Sequence, residues 1–392
     1  INNLLQVGEN ILAIKVHRQA NMKSYHHHMR GGLLAQLDCT GDEKVSISTN
    51  HKWKVSSDLS WSNNAPLINR FQPAVNDIVD FRKSQRNWIS RDFDDSEWSD
   101  AEELMRNVGW PLPQNNDLKY ALIPPWTSLI TRDLPYLNEN EKRASNLIMS
   151  DFLSEGNSSE HIKITEKISR DISKTISDYR LKKGPLIISP TDRPGKRILL
   201  FDYCEVLNGS AQLDIIGPAG LKVEIWSAPY ILNNEFKYHI VDSDFKDEII
   251  LSGERDYWEA TYWKPTRYLG IVLENISQPI KIFGVGIRQI SYPFKNKGHI
   301  KSIDNPWIEK YMKASAKTID LCTTDGYTDN YRERRQYSQT GFYAALGNYW
   351  IFGDYSLQRR YLIQVAEEQQ ANGIMPAYAP LNFDDYMIIL DS

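Results

Sequence analysis

The chain has 392 residues, with 46 Lys and Arg against 50 Asp and Glu, for a formal net charge of -4. That length predicts two or three domains, since single cores stop growing well below it. The balanced charge excludes the basic excess a nucleic-acid binder carries for phosphates, and no stretch approaches the ~18 unbroken apolar residues of a membrane helix. Aromatic residues are abundant, with 11 Trp, 21 Tyr and 12 Phe. They suit strands and cores first, and the apolar faces of sugars second.

Residues 1–135 read as short strands between Gly, Asn and Asp. Ile11-Leu12-Ala13-Ile14-Lys15-Val16 follows the turn signal Gly8-Glu9-Asn10, and Val45-Ser46-Ile47 and Trp53-Lys54-Val55 keep a period of two. With the Pro-rich stretch from Pro111 to Pro125 at its edge, this part is expected to be an N-terminal β-sandwich of jelly-roll type. Residues 136–190 are polar and read as a linker or insertion with weak strand content. Leu213 and Ile215, the turn Gly217-Pro218-Ala219-Gly220, and then Leu221, Val223 and Ile225 predict a hairpin. Two further strands are expected at 268–273 and 282–290, so that 136–295 forms a second β-sandwich.

The period changes after Pro293. Ile308, Met312, Ser315 and Ile319 share one face of a helix opened by Pro306-Trp307. A second helix is predicted from about Ser338. A third carries Leu357, Tyr361, Leu362 and Val365 and ends at Asn372-Gly373. Because the opening residues already read as strand and three helices make no large α domain, the chain is expected to be truncated at both ends.

Cys39, Cys204 and Cys322 are far apart and form no CxxC pair, which predicts neither a disulfide framework nor a zinc site. Tyr25-His26-His27-His28 would put His26 and His28 on one strand face, but no carboxylate adjoins them, and an exposed polar loop is the simpler reading. No metal and no cofactor is expected.

The densest polar and aromatic segment runs Asp325-Gly-Tyr-Thr-Asp329-Asn-Tyr-Arg332-Glu333-Arg-Arg-Gln-Tyr337-Ser-Gln-Thr340, a loop leading into a helix. Carboxylates among aromatic rings suit glycosidic cleavage, in which one carboxylic acid protonates the leaving oxygen while a second activates water or attacks the anomeric carbon. The same residues also fit a solvated, ion-paired helix start. Flanking guanidinium groups lower a carboxyl pKa, whereas a general acid needs it raised. Glu333 therefore requires an apolar wall or a second carboxylate beside it.

This segment resembles the signature of the bacterial α-L-rhamnosidases of glycoside hydrolase family 78, roughly Asp-Cys-Pro-x-Arg-Glu-Arg-Leu-Gly-Tyr/Trp-x-Gly-Asp. Arg332-Glu333-Arg334 matches Arg-Glu-Arg, and Tyr337 falls on the aromatic. Phe93-Asp94-Asp95-Ser96-x-Trp98, Thr131-Arg132-Asp133-Leu134-Pro135 and Arg267-Tyr268 resemble features of the family's β-domains. Gly353-Asp354 and Gln369-x-x-x-Gly373-Ile-Met-Pro376 resemble the opening of its (α/α)6 barrel. The resemblance implies two β-sandwich domains followed, at 296–392, by the start of that barrel. It implies Glu333 as general acid, with Asp329, Tyr337, Arg332 and Asp325 binding substrate. The partner would be a rhamnose-containing glycan or glycoside, and that substrate class favours a periplasmic or secreted location.

Three departures stand out. Asn330-Tyr331 replaces Cys-Pro, the Asp-to-Glu spacing is one residue shorter, and Thr340 stands where the family places a second sugar-binding Asp. The family's general base, a Glu late in the barrel, would lie beyond Ser392, so the 392 residues alone are expected to be inactive. A related (α/α)6 glycosidase acting on another sugar, or a non-catalytic carbohydrate-binding protein, fits the same residues.

Overall fold

The computed structural model describes residues 4–6, 8–18, 32–40, 44–69, 74–103, 131–144, 146–152, 161–163, 184–190, 195–295, 298–328, 332, 334, 336–367, 369 and 372–379. The chain divides into two compact units. One comprises Ile1–Arg18, His28–Leu59 and Lys83–Thr131, the other Gln19–His27, Ser60–Arg82 and Arg132–Ser392. The Pro-rich stretch and the three consecutive histidines fall outside the described residues.

In the first unit, strands Gln36–Thr40 and Lys44–Ser48 pair antiparallel, and Lys54–Val55 pairs with Ser99–Asp100. The indole of Trp53 donates to the Ser48 carbonyl (3.0 Å). Trp98 stacks on Trp88 and meets Phe93 edge-on. Residues 11–16, expected as a strand, form none.

The second unit is built on a ten-stranded sheet. Its strands are β1 (Ile78–Asp80), β2 (Asn138–Arg143), β3 (Asn146–Phe152), β4 (Leu186–Ile188), β5 (Lys196–Ile216), β6 (Lys222–Ala228), β7 (Lys246–Ile250), β8 (Arg255–Glu259), β9 (Lys264–Glu274) and β10 (Ile280–Ser291). The order is β1-β7-β6-β9-β5-β10-β2, with β3 and β8 also on β5 and β4 on β10. All pairings are antiparallel except β1 with β7. β5 does double duty. Its residues 196–202 lie between β3 and β9, the register breaks between Asp202 and Leu207, and its second half runs between β8 and β10.

Alternation along β5 and β9 explains the core. Leu199, Phe201, Leu213, Ile215, Ile271 and Leu273 enter one buried cluster with Val223, Trp258, Val285 and Ile287. Ile198, Leu200 and Val272 enter a second cluster with Trp226, Phe236 and Phe245. Apolar cover on both faces is why Ile198-Leu199-Leu200-Phe201 is an unbroken apolar run rather than an alternating one.

The strand content expected within 136–190 takes the form of β2, β3 and β4, all belonging to the sheet. One sequence expectation fails here, because the turn at 217–220 does not close a hairpin. β6 pairs with β7 and β9, while the end of β5 pairs with β8 and β10. The chain arches between two groups of strands, with Gly220 N–H donating to the Leu251 carbonyl (2.8 Å). Gly217 fits because a Cβ there would strike Leu251.

Three helices follow: α1 (Trp307–Leu321), α2 (Ser338–Ile351) and α3 (Ser356–Glu367). The first two begin where the periodicity predicts. α3 stops at Glu367 rather than at Asn372-Gly373, and the side-chain amide of Gln369 donates to the Gly373 carbonyl across the turn (2.9 Å). α2 buries Gly341, Ala345, Asn348 and Ile351, spaced by three and four residues. A small cluster of Leu134, Tyr292, Tyr327, Ala345 and Leu357 joins the helices to the segments flanking the sheet. No helix among the described residues is long and apolar enough to cross a membrane.

Candidate active site

The segment singled out in sequence lies between α1 and α2. Asp329 and Glu333 fall outside the described residues, so the site is built from their neighbours. Asp325 is exposed, and both its carboxylate oxygens accept from Arg132 (Nη2 to Oδ1 2.7 Å, Nη1 to Oδ2 3.1 Å). This two-point fork fixes the carboxylate plane as well as its position. The Arg132 guanidinium also lies 5.4 Å from the Tyr136 ring centroid. Arg132, which no sequence motif marked as a site residue, thus meets the candidate segment directly.

Tyr337 is half-buried on a two-residue strand, Gln336–Tyr337, that pairs with Tyr378–Ala379. Its ring meets Tyr378 edge-on, with centroids 5.5 Å apart. The Gln336 side chain lies directly against Gly326, where any Cβ would collide with it. That close approach brings the Asp325 and Tyr337 ends of the segment together. Thr340 is exposed in the first turn of α2.

The residues on either side of Glu333 are tied to the sheet region. The Arg332 side chain is exposed, and its carbonyl accepts from the Asn69 amide (2.6 Å), which also donates to Ser243 Oγ (2.8 Å). Arg334 is only 3% exposed. Its guanidinium carbon lies 3.4 Å from the Trp263 ring centroid and 4.1 Å from that of Tyr262, and Nη2 donates to the Trp263 carbonyl (2.6 Å).

Two buried polar networks brace these elements. In the first, the Asn348 amide donates to Tyr327 Oη (2.6 Å) and to the Asp354 carbonyl (2.7 Å), while its Oδ1 accepts from Asp354 N–H (3.3 Å). Asp354 then caps α3, accepting from the N–H groups of Ser356 and Leu357, and accepts a hydrogen bond from the Tyr292 hydroxyl (3.1 Å). Burial pushes the Tyr327 hydroxyl up to about 12, and burial with the Asp354 carboxylate raises that of Tyr292. Nothing in the sequence pattern marks Asn348, although Asp354 belongs to the Gly-Asp match. In the second network, Lys264 donates to Asp247 (2.5 Å) and Asn76 (3.0 Å), and Asp77 accepts from the N–H and hydroxyl of Thr261. Burial and the nearby Asp247 carboxylate push Asp77 up to about 7. Among the described residues no group of His, Cys, Asp and Glu could hold a metal ion.

Residues 1–117 match the family model of the alpha-L-rhamnosidase N-terminal domain. No curated protein matches the sequence. The fold is shared over 91% of the chain with the family 78 rhamnosidase of Bacillus sp. GL1, at 15% identity and a TM-score of 0.71. The chain shares its fold with family 78 α-L-rhamnosidases. The α-L-rhamnosidase of Streptomyces avermitilis, solved with L-rhamnose, matches over 90% of the chain (15% identity, TM-score 0.60), and that of Aspergillus terreus over 88% (16% identity, TM-score 0.53). The chain spans 55% of the Bacillus protein and 28% and 33% of the other two. Identities this low establish a common fold, rich in sheet with few helices, and leave the chemistry to the site.

Proposed function

We propose that the protein is an inverting glycoside hydrolase that removes terminal α-L-rhamnosyl residues from polysaccharides or glycosides. In this reading two β-sandwich domains, 1–135 without the stretch 60–82 that belongs with the second sheet, and 136–295, precede 296–392, which opens an (α/α)6 catalytic barrel. The observation that carries it is the Arg332-Glu333-Arg334 signature at the entry to α2, in a chain with the family 78 fold and the matching N-terminal domain. Glu333 protonates the glycosidic oxygen as the bond to the anomeric carbon breaks. Water, deprotonated by a second carboxylate on the opposite face, adds to that carbon and inverts it. Asp329, Arg332, Tyr337 and Asp325 hold the sugar, with Asp325 fixed in orientation by Arg132.

The test is hydrolysis of aryl α-L-rhamnoside beside other aryl glycosides by the complete gene product, with NMR identifying the first anomer released. Turnover of the rhamnoside with inverted product, reduced by about 10²–10⁴-fold in Glu333→Gln, is expected. Retention of configuration, or an undiminished Glu333→Gln enzyme, overturns the assignment. Thr340, exposed where the family has an acidic residue, favours a second reading in which the same machinery takes a different sugar. Turnover confined to another aryl glycoside would establish it.

A further inference from the structure

The residues flanking Glu333 are held in an unusual way. Arg334 has a left-handed backbone (φ +56°), which a residue with a Cβ adopts only where its surroundings enforce it. The enforcement is visible. Its side chain is buried against two stacked rings, Tyr262 and Trp263, whose planes lie within 15° of each other, and it donates to the Trp263 carbonyl. Those rings sit on a turn pinned at both ends. Thr261 donates twice to Asp77, and Lys264, 2% exposed, donates to Asp247 and Asn76. Asp77 N–H in turn donates to Asp247 (2.8 Å), which ties the two pins to one another. On the other side of Glu333, the Arg332 carbonyl is held by Asn69, itself 6% exposed.

We propose that Arg334 is a positioning residue for Glu333. Clamped by Tyr262 and Trp263, and working with Asn69 on the opposite flank, it fixes the backbone on both sides of the catalytic carboxyl to the sheet region. This inference rests on the assignment of Glu333 as general acid. The clamp favours a planar cation, since a guanidinium lies flat over both rings while its fork reaches a carbonyl, whereas an ammonium is a compact point charge that cannot stack. The sheet region is therefore part of the catalytic apparatus and not a detachable accessory. A misplacement of about 1 Å in a reacting group costs on the order of 10²-fold in rate, so loosening the clamp acts on kcat and leaves KM largely alone.

The experiment uses the complete gene product with Arg334→Lys, Trp263→Ala and Trp263→Phe. It reads kcat and KM on aryl α-L-rhamnoside, the pH dependence of kcat/KM, and amide hydrogen exchange over 328–337. In Arg334→Lys and Trp263→Ala, kcat should fall by about 10²-fold with KM little changed, the alkaline limb of kcat/KM should move, and exchange over 328–337 should quicken. Trp263→Phe keeps a ring and should recover most of the rate. Wild-type rates and exchange in Arg334→Lys and Trp263→Ala overturn the clamp while leaving the rhamnosidase reading intact. A parallel loss of kcat, KM and folding in all three variants reduces it to ordinary packing and also overturns it. A wild-type protein that cleaves no glycoside defeats the rhamnosidase reading and, with it, the catalytic role of Arg334.

Discussion

The sheet and the helices of the second unit are held by different forces. In the sheet, neighbouring residues of β5 and β9 go to opposite faces, and each face ends in a buried apolar cluster. α1 buries no residue fully, and α2 buries one narrow face that includes an asparagine. Phe342, Tyr343 and Trp350 on α2 remain exposed, Trp350 at 84%. The sheet owes its stability to area removed from water, while the helical segment depends on hydrogen bonds and on attachments to the sheet. The candidate active site lies in the second kind of structure. Its geometry is set by directional contacts, which specify position well and add little net free energy.

That contrast can be broken most sharply at its apolar end. Trp226→Ala, in the second core cluster, should cost about 3–5 kcal/mol in urea unfolding followed by circular dichroism. A small loss there would mean that the sheet does not rest on its dry core. Next is Asn348→Ala, which strands the Tyr327 hydroxyl and the Asp354 backbone in a dry site. It should cost about 1–3 kcal/mol and speed hydrogen exchange in α2 and α3 while leaving the sheet unaffected.

The third prediction concerns pH. Asp77 binds its proton more tightly in the folded state, so its contribution to stability is complete below about pH 4 and is lost as pH rises through about 7. Asp77→Asn should flatten that part of the stability profile, and an unchanged slope would remove Asp77 as its source. The smallest effect belongs to the surface. Arg132→Ala, which breaks the exposed fork to Asp325, should cost less than about 1 kcal/mol and less again in high salt. Trp350→Ala should fall within about 0.5 kcal/mol.

What could be read in sequence followed the same divide. Alternation in Val45-Ser46-Ile47 and at 282–290 marks true strands, the first with exposed side chains throughout, and the three- and four-residue spacing after Pro306 and Ser338 marks true helices. Periodicity needs apolar residues to alternate, so it misses β2, an edge strand of sequence Asn-Glu-Asn-Glu-Lys-Arg that exists through its backbone pairing with β10. It equally mistakes an arch for a hairpin at 217–220, because turn residues specify a reversal of the chain and not the partner of the strand that follows. In the candidate segment, residue type and motif single out Asp325 and Tyr337, the two ends that the Gln336–Gly326 approach brings together. They do not single out Arg334. An arginine in the run Arg-Glu-Arg-Arg reads as solvated, and its burial depends on Tyr262 and Trp263, far earlier in the chain.

The broken register in β5 has a consequence for how the molecule comes apart. One continuous strand belongs to both groups of strands, and it is most exposed at its bend, Cys204 and Glu205. A protease nick at that bend would sever the covalent chain yet leave both stubs laced into neighbours on either side, much as a spliced rope holds after one yarn is cut. The nicked sheet should therefore stay joined and melt in a single transition, with neither half surviving the loss of the other.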